Sequence, residues 1–231
     1  RFEENEHLID QRDDLYLEKV ALLNQLGDHA KAYNLLLNRK FHPWEGGEGK
    51  VTGQYVKSLT AMAKEALQNG EFDKAVLYLK KAEIYPPNLG EGKLCGAQEN
   101  EIFYYLGLAY QGLGNNSEAT SYWRKAAVGL SEVSAAIFYN DQNPDTIYFQ
   151  GLALLRLGEI KEAEKRFVML KKYGEEHIED SIKIDYFAVS LPDLLIWEDD
   201  LDKRNKNFCS HLIELANNGL NEIANFQLID E

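Results

Sequence analysis

Residues 103–126 read FYYLGLAYQGLGNNSEATSYWRKA, and this stretch decides the fold. Its apolar residues recur at spacings of three and four, which places their side chains on one face of an α-helix. Gly114 interrupts the pattern, and glycine readily adopts the left-handed conformation in which many helices end. The apolar spacing then resumes at Ala119 and Trp123. The stretch therefore predicts two helices joined by a short turn.

The same pattern occurs five times along the chain. Each copy has a glycine, an alanine five residues later and a large apolar residue four residues after the alanine. The glycines are Gly27, Gly70, Gly114, Gly158 and Gly219; the alanines are Ala32, Ala75, Ala119, Ala163 and Ala224; the large residues are Leu36, Leu79, Trp123, Phe167 and Leu228. A single helix pair cannot bury all of its apolar surface, so we expect neighbouring pairs to stack.

These positions resemble the tetratricopeptide repeat, with residues 59–82 and 103–126 as the clearest copies. The resemblance implies an all-α fold, an α-α superhelix (solenoid) of about five helix pairs, as a single domain over residues 1–231. Repeat one departs from the pattern, because Arg39 stands where a small residue is usual. The chain starts at Arg1 and the fifth copy reaches Glu231, so we expect it to be part of a longer protein. An unrelated helical bundle is the alternative fold.

Long insertions separate the repeats. Successive glycines are 43, 44, 44 and 61 residues apart, whereas the tetratricopeptide period is roughly 34. Each insertion follows a second helix, and insertions at equivalent points of a solenoid emerge on one side, which is often the binding side. The tetrad Gly-Glu-Gly-Lys occurs in the first insertion at 47–50 and in the second at 90–93. The sequence therefore predicts inserted loops that converge on one surface.

Three stretches of sequence make the resemblance more specific: FHPWEGGEGKV at 41–51, YNDQ at 139–142 and DYFAVSLPD at 185–193. They look like an uncharacterised bacterial family of tetratricopeptide-repeat proteins. In that family the helical part follows an N-terminal β-rich domain, and its members are linked to carbohydrate metabolism. The resemblance carries over no catalytic residue.

Aromatic and charged residues of the insertions are the candidate binding residues. Their aromatic rings and carboxylates suit a sugar, and their position suits a partner domain. They are Trp44, Glu45, Glu48, Lys50, Glu91, Lys93, Tyr139, Asp141, Asp185 and Tyr186. The alternative is structural: the aromatic residues pack the insertions against the helices, and Lys50 and Lys93 pair with nearby carboxylates or carbonyls.

Other kinds of site fail on spacing. A phosphate-binding loop needs a glycine five residues before its Gly-Lys pair and a Ser or Thr after it, but the first tetrad has Trp44 and Val51 at these positions, and the second has Pro87 and Leu94. The run from Glu198 to Asp202 lacks the alternation of a calcium loop. We predict no metal and no cofactor.

Composition excludes further classes of function. The net charge is −13, with 25 Lys and Arg against 38 Asp and Glu. Nucleic acids and anionic membranes both require a basic surface, so we expect neither as a partner. Two widely separated cysteines, Cys95 and Cys209, do not form a disulfide framework, and free thiols indicate a reducing compartment. We therefore expect a cytoplasmic protein.

Two functions remain. The first is a non-enzymatic interaction or scaffold module that binds a protein partner or an adjoining N-terminal domain. The second is the helical half of a carbohydrate-processing or glycan-binding protein, whose partner is an oligosaccharide. The sequence predicts no catalysis by this chain alone.

Overall fold

A computed structural model of the chain describes residues 5–44, 46–135, 142–182 and 200–229. These residues form helices and connecting turns, and no strand occurs among them. The helices are α1 (Glu6–Ile9), α2 (Asp13–Gln25), α3 (His29–Leu37), α4 (Lys50–Gln68), α5 (Phe72–Ala82), α6 (Asn100–Gly112), α7 (Asn116–Ala126), α8 (Asp145–Arg156), α9 (Ile160–His177) and α10 (Leu201–Ile229), with a short 3-10 helix at Pro87–Leu89. The predicted all-α fold class is confirmed.

Four of the predicted turns have the expected glycine conformation. Gly27, Gly70, Gly114 and Gly158 have φ values of 85°, 73°, 75° and 80°. A left-handed residue ends the first helix of each pair and exposes its last carbonyls to the N–H groups that follow. After Gly70, for example, the Glu71 N–H donates to the Ala66 carbonyl at 2.8 Å.

The fifth predicted turn is wrong. Gly219 lies inside α10, which continues from Leu201 to Ile229. After Gly27, Asp28 caps α3 by accepting the Lys31 N–H, whereas Leu220, which follows Gly219, has no side-chain acceptor. Ala224, the small packing residue expected in this repeat, is exposed. Within the described residues the chain therefore has four helix pairs and one long helix in place of five pairs.

The repeat positions of the four pairs form the core. Ala32, Ala75, Ala119 and Ala163 are all 0% exposed. Where the facing position is glycine, a larger ring fills the space: a Cβ added to Gly107 would lie 2.2 Å from the Trp123 ring, and one added to Gly151 would lie 2.4 Å from the Phe167 ring. The residue sizes of the two helices in a pair therefore compensate each other.

The contacts divide the chain into two compact units. The first comprises Arg1–Ala97 and Leu108–Asn115, and the second comprises Gln98–Gly107 and Asn116–Glu231. In the first unit α2 packs on α3 and α4, α3 packs on α4, and α4 packs on α5. In the second unit α8 packs on α7, α9 and α10, and α9 packs on α10. The prediction of a single domain stays a prediction.

Candidate functional site

The first two inserted loops lie together in the first unit. The Phe41 N–H donates to the Asn88 carbonyl at 2.8 Å, and the Phe41 side chain is buried. The Asn88 side-chain amide donates to the carbonyls of Leu36 and Arg39, at 2.9 and 2.8 Å. These carbonyls belong to the C-terminal end of α3 and the residues after it, which have no helical N–H partner of their own. The second loop therefore completes the hydrogen bonding of the first.

Arg39 explains why repeat one departs from the small residue expected there. Its guanidinium Nε lies 2.6 Å from Asp13 Oδ1, and its carbon Cζ lies 4.3 Å from the centre of the Tyr16 ring. Asp13 also accepts the His42 N–H at 2.8 Å. The arginine and its partners thus hold the first loop against α2.

Glu91, a predicted site residue, binds the N-terminus of α4. The Gly49 N–H donates to both carboxylate oxygens of Glu91, at 2.9 and 3.2 Å, and the Thr52 hydroxyl donates to Oε2 at 3.3 Å. The N-terminal end of a helix carries partial positive charge and unpaired N–H groups, so it favours a carboxylate. Burial raises the pKa of Glu91, the bonds from Gly49 and Thr52 oppose this shift, and the charge of Glu48 adds to it.

The two Gly-Glu-Gly-Lys tetrads differ in local structure. In the first, Gly49 (φ 73°) precedes α4 and Lys50 is the first residue of the helix. In the second, Gly90 (φ 82°) follows the 3-10 helix, and the Lys93 ammonium donates to the Glu83 carbonyl at 3.1 Å. The tetrads therefore contact each other through Gly49 and Glu91 and do not repeat one another's role.

The remaining predicted site residues divide into two groups. Trp44 is half-buried, and its ring lies so close to Gly47 that a Cβ there would be 2.2 Å away. Glu48 is also half-buried, beside Glu91. Glu45, Tyr139, Asp141, Asp185 and Tyr186 lie outside the described residues. Of the described candidates, Glu91 contacts the start of α4 and Lys93 contacts a carbonyl after α5; the predicted binding role of the set stays a prediction.

A groove of about 280 Å³ lies elsewhere in the first unit, at the turn between α2 and α3 and along α4 and α5. Three carboxylates, one ammonium group, an imidazole and a phenol line it, together with two buried apolar residues. The lining residues are Gly27, Asp28, His29, Ala30, Met62, Glu65, Ala66, Asn69, Glu71, Lys74 and Tyr78.

A buried network positions the imidazole of the groove. Asn24, only 3% exposed, accepts a hydrogen bond from the Ser58 hydroxyl at 3.0 Å through Oδ1, and its amide donates to Gln54 Oε1 at 2.8 Å. His29 Nδ1 lies 3.0 Å from the same Asn24 Oδ1. An amide oxygen only accepts, so Nδ1 of His29 is the donor and Nε2 is the acceptor of the neutral ring.

The single lysine of the groove is paired with one of its carboxylates. Lys74 Nζ lies 2.8 Å from Glu71 Oε2, and both side chains are about half exposed. The hydrogen bond to Glu71 raises the pKa of Lys74, attraction to Glu71 and Glu65 adds to this shift, and burial opposes it. Lys74 is therefore an ammonium group at neutral pH, and the groove carries a net negative charge.

The groove contains none of the residues that the sequence predicted for a site. Asp28 and Glu71 follow the glycines of two successive turns, which is a visible signal that the turn ends are acidic. Glu65, Lys74 and Tyr78 give no such signal, because they are ordinary surface residues of two helices until α4 and α5 pack together. Their grouping is a property of the tertiary structure.

Two observations limit other kinds of site. Within the described ranges, no group of three or more His, Cys, Asp or Glu residues could hold a metal ion. Nor does any helix of the described part of the chain combine the length and the apolar character needed to cross a membrane.

Comparisons with known proteins add no family. No protein-family model matches the chain, and no solved structure matches it.

Proposed function

We propose that this chain is an interaction module that binds a segment of a partner polypeptide in the groove of its first unit. The groove carries the proposal: it has a volume of about 280 Å³ and combines charged, polar and apolar residues in one concave surface. Binding sites are typically concave surfaces that place a few polar groups beside apolar contact area. The proposal assigns the interaction function expected from the sequence to the helices.

The same proposal includes the finer architecture, a tetratricopeptide-like superhelix. Four helix pairs with left-handed glycine turns and fully buried alanines support it. Sequential packing of α2 to α5 in the first unit, and of α7 to α10 in the second, also supports it. Superhelices of this kind present extended surfaces to peptides.

The inserted loops have a supporting role in this proposal. The Asn88 amide donates to a carbonyl at the end of α3, and the Glu91 carboxylate accepts the Gly49 N–H at the start of α4. The Lys93 ammonium donates to a backbone carbonyl. Side chains engaged in such bonds stabilise the arrangement of the helices that form the groove. We therefore assign partner binding to the helices, and we assign to the loops the role of stabilising these helices.

One observation favours glycan binding as a second candidate function. Tyr33, Tyr55 and Tyr85 form an aromatic row, with ring centres 5.8 and 6.4 Å apart along it. Tyr33 and Tyr85 are half-buried, so neither residue is enclosed in the core. Aromatic faces are common contact surfaces for ligands with apolar faces. Titration with maltohexaose, followed by tyrosine fluorescence, tests this candidate: a response abolished by Tyr33→Ala supports it, and no response to the sugar overturns it.

We also propose a reducing, cytoplasmic location. Exposed Cys95 and buried Cys209 are both free thiols. An exposed thiol persists most readily where the surroundings keep cysteines reduced.

A random peptide library displayed on phage tests the interaction function. Ala30 is exposed and lines the groove, so Ala30→Trp fills the groove without disturbing the core. Asn34→Trp is the matched control, because Asn34 is an exposed residue of the same helix and does not line the groove. We expect peptides that bind the unaltered chain and the control, and that lose most of their binding to Ala30→Trp. Peptides that bind all three chains equally, or no enriched peptide, would overturn the proposal.

A further inference from the structure

The lining of the groove matches the two parts of a long basic side chain. Met62 and Ala66 are buried and offer apolar surface, 8% and 2% exposed. The carboxylates of Asp28, Glu65 and Glu71 lie around this surface. Lysine and arginine have an apolar stem and a charged head, and they bury the stem on apolar surface while the head stays near polar groups.

Other ligand classes use less of this lining. A metal ion would leave Met62 and Ala66 without a role, and it would have to compete with the ammonium group of Lys74. An anion would face three carboxylates against one ammonium group. Tyr78 is half-buried in the lining, and a phenol ring attracts a cation placed over its face. The three carboxylates, the apolar surface and the phenol ring of the groove therefore favour an organic cation with an aliphatic stem.

Lys74 already supplies such a cation from within the chain. Its ammonium group lies 2.8 Å from Glu71 Oε2, and the charge of Glu65 also acts on it. The Lys74 side chain is 52% exposed, so it can move into solvent without loss of core packing. An exposed ion pair contributes little stability, and its exchange for another cation therefore costs little.

We propose that the groove binds a lysine or arginine side chain of a partner polypeptide, and that Lys74 is an internal competitor which this side chain displaces from Glu71. The inference rests on the proposed function, because it names the chemistry of the segment that the groove takes. Glu65 and Asp28 receive the incoming charge, and Lys74 turns outward. The net charge of −13 speeds the encounter with a basic segment.

A fluorescein-labelled hexalysine peptide tests the role of the carboxylates, measured by fluorescence anisotropy with the full chain at about 150 mM salt. Glu65→Gln should weaken binding about twofold to fivefold, because the incoming cation loses one exposed carboxylate partner. Glu18→Gln is the matched control: Glu18 is exposed on α2, outside the groove, and its replacement removes the same charge. Equal effects of the two substitutions would show only general attraction to an acidic chain, and would overturn the proposal.

Lysine variants test the internal competitor. Lys74→Gln should strengthen hexalysine binding about threefold, since it frees Glu71 and removes a like charge from the groove. Lys57→Gln, an exposed lysine of α4 that does not line the groove, changes the net charge by the same amount. We expect a clearly larger gain for Lys74→Gln. A gain no larger than that of Lys57→Gln would overturn the role of Lys74.

The display experiment separates this inference from the function on which it rests. Selected peptides that lose binding to Ala30→Trp and are rich in lysine or arginine support both the interaction function and the basic occupant. Selected peptides that lose binding to Ala30→Trp but lack lysine and arginine would leave the interaction function standing and overturn the basic occupant. If no peptide is sensitive to Ala30→Trp, both proposals fail together.

Discussion

At the scale of single residues, asparagine side chains complete the ends of helices at three places. The amide of Asn88 donates to carbonyls at the end of α3, that of Asn100 donates to Ala126 and Val128 at the end of α7, and that of Asn205 donates to His177 at the end of α9. The last carbonyls of a helix have no partner within the helix, and leaving them unpaired while partly buried is costly. These asparagines therefore stabilise the second helix of three pairs.

Replacing one of these asparagines should destabilise the chain. Asn88→Ala removes the donor to Leu36 and Arg39, and we expect the free energy of unfolding to fall by about 1–3 kcal/mol, the cost of unpaired backbone groups. Asn38→Ala is the control, because the Asn38 amide donates to Asn34 in an exposed position where water can replace it. Urea unfolding measures both variants. Equal losses would contradict a special role for Asn88.

His211 predicts how stability depends on pH. Its Nε2 lies 3.2 Å from Asp145 Oδ2, which joins α10 to the first residue of α8. The hydrogen bond to Asp145 raises the pKa of His211; burial opposes the shift, and attraction to Asp145 and Glu214 adds to it. A raised folded pKa means that the protonated ring is favoured in the folded state. The stabilisation is therefore complete below the unfolded pKa of about 6.5 and is lost as pH rises through the folded pKa.

Substitution of the histidine tests this sign. His211→Gln should lower the urea midpoint more at about pH 5.5 than at about pH 8.5, since only the protonated ring forms the ion pair. Asp145→Asn should show the same dependence from the other side of the contact. A loss that is the same at both pH values would mean that the contact is not ionic.

At the scale of the helices, the same residue type has two different roles. Gly114 has φ 75° in the turn between α6 and α7, and an added Cβ would meet nothing within 4 Å. Gly219 lies within α10, and an added Cβ would lie 2.4 Å from the ring of Phe167, which is fully buried. The first glycine is needed for its backbone conformation, and the second for the space it leaves.

The two roles predict opposite orders of tolerance. At Gly114, asparagine should be tolerated better than alanine, because asparagine adopts left-handed conformations more readily. At Gly219, alanine should be tolerated better than asparagine, because the smaller side chain displaces Phe167 less. Thermal unfolding of the four variants gives the two orders. The same order at both positions would contradict the assignment of Gly219 to a helix interior.

Ala119 tests the close approach of helices within a pair. It is 0% exposed in α7, so Ala119→Leu should overpack the interface and cost about 1–3 kcal/mol. Ser121→Leu is the control at an exposed position of the same helix, with an expected change within about 0.5 kcal/mol. Denaturant unfolding compares the two. An unchanged free energy of unfolding for Ala119→Leu would show that the repeat phase is wrong here.

At the scale of the whole molecule, charge sets the choice of partners. With a net charge of −13, the chain should not retain duplex DNA at about 150 mM salt, because phosphate binding needs a concentration of lysine and arginine. A gel-shift titration measures this, with the hexalysine peptide as the positive control for binding to the duplex. Micromolar, salt-sensitive binding to a duplex would contradict the prediction.

Much of the local structure could be predicted from the sequence. The spacing of apolar residues and the glycine turns at 27, 70, 114 and 158 were sufficient to place four helix pairs. Helix periodicity and helix ends depend on residues a few positions apart, so a sequence shows them directly. The same rule failed at Gly219, because this glycine meets the spacing by leaving room for the Phe167 ring inside α10, and not by ending a helix.

The tertiary structure alone decided which side chains meet. The Gly-Glu-Gly-Lys tetrads repeat in sequence, yet Glu91 caps a helix that begins near Gly49, 42 residues earlier in the chain. The groove similarly joins residues from 27 to 78, whose helices carry no common motif. Contacts of this kind depend on how helices pack, and packing is set by the combined fit of many side chains far apart in sequence. The sequence by itself therefore determined where the helices lie, while the packed structure determined which of their surfaces form a site.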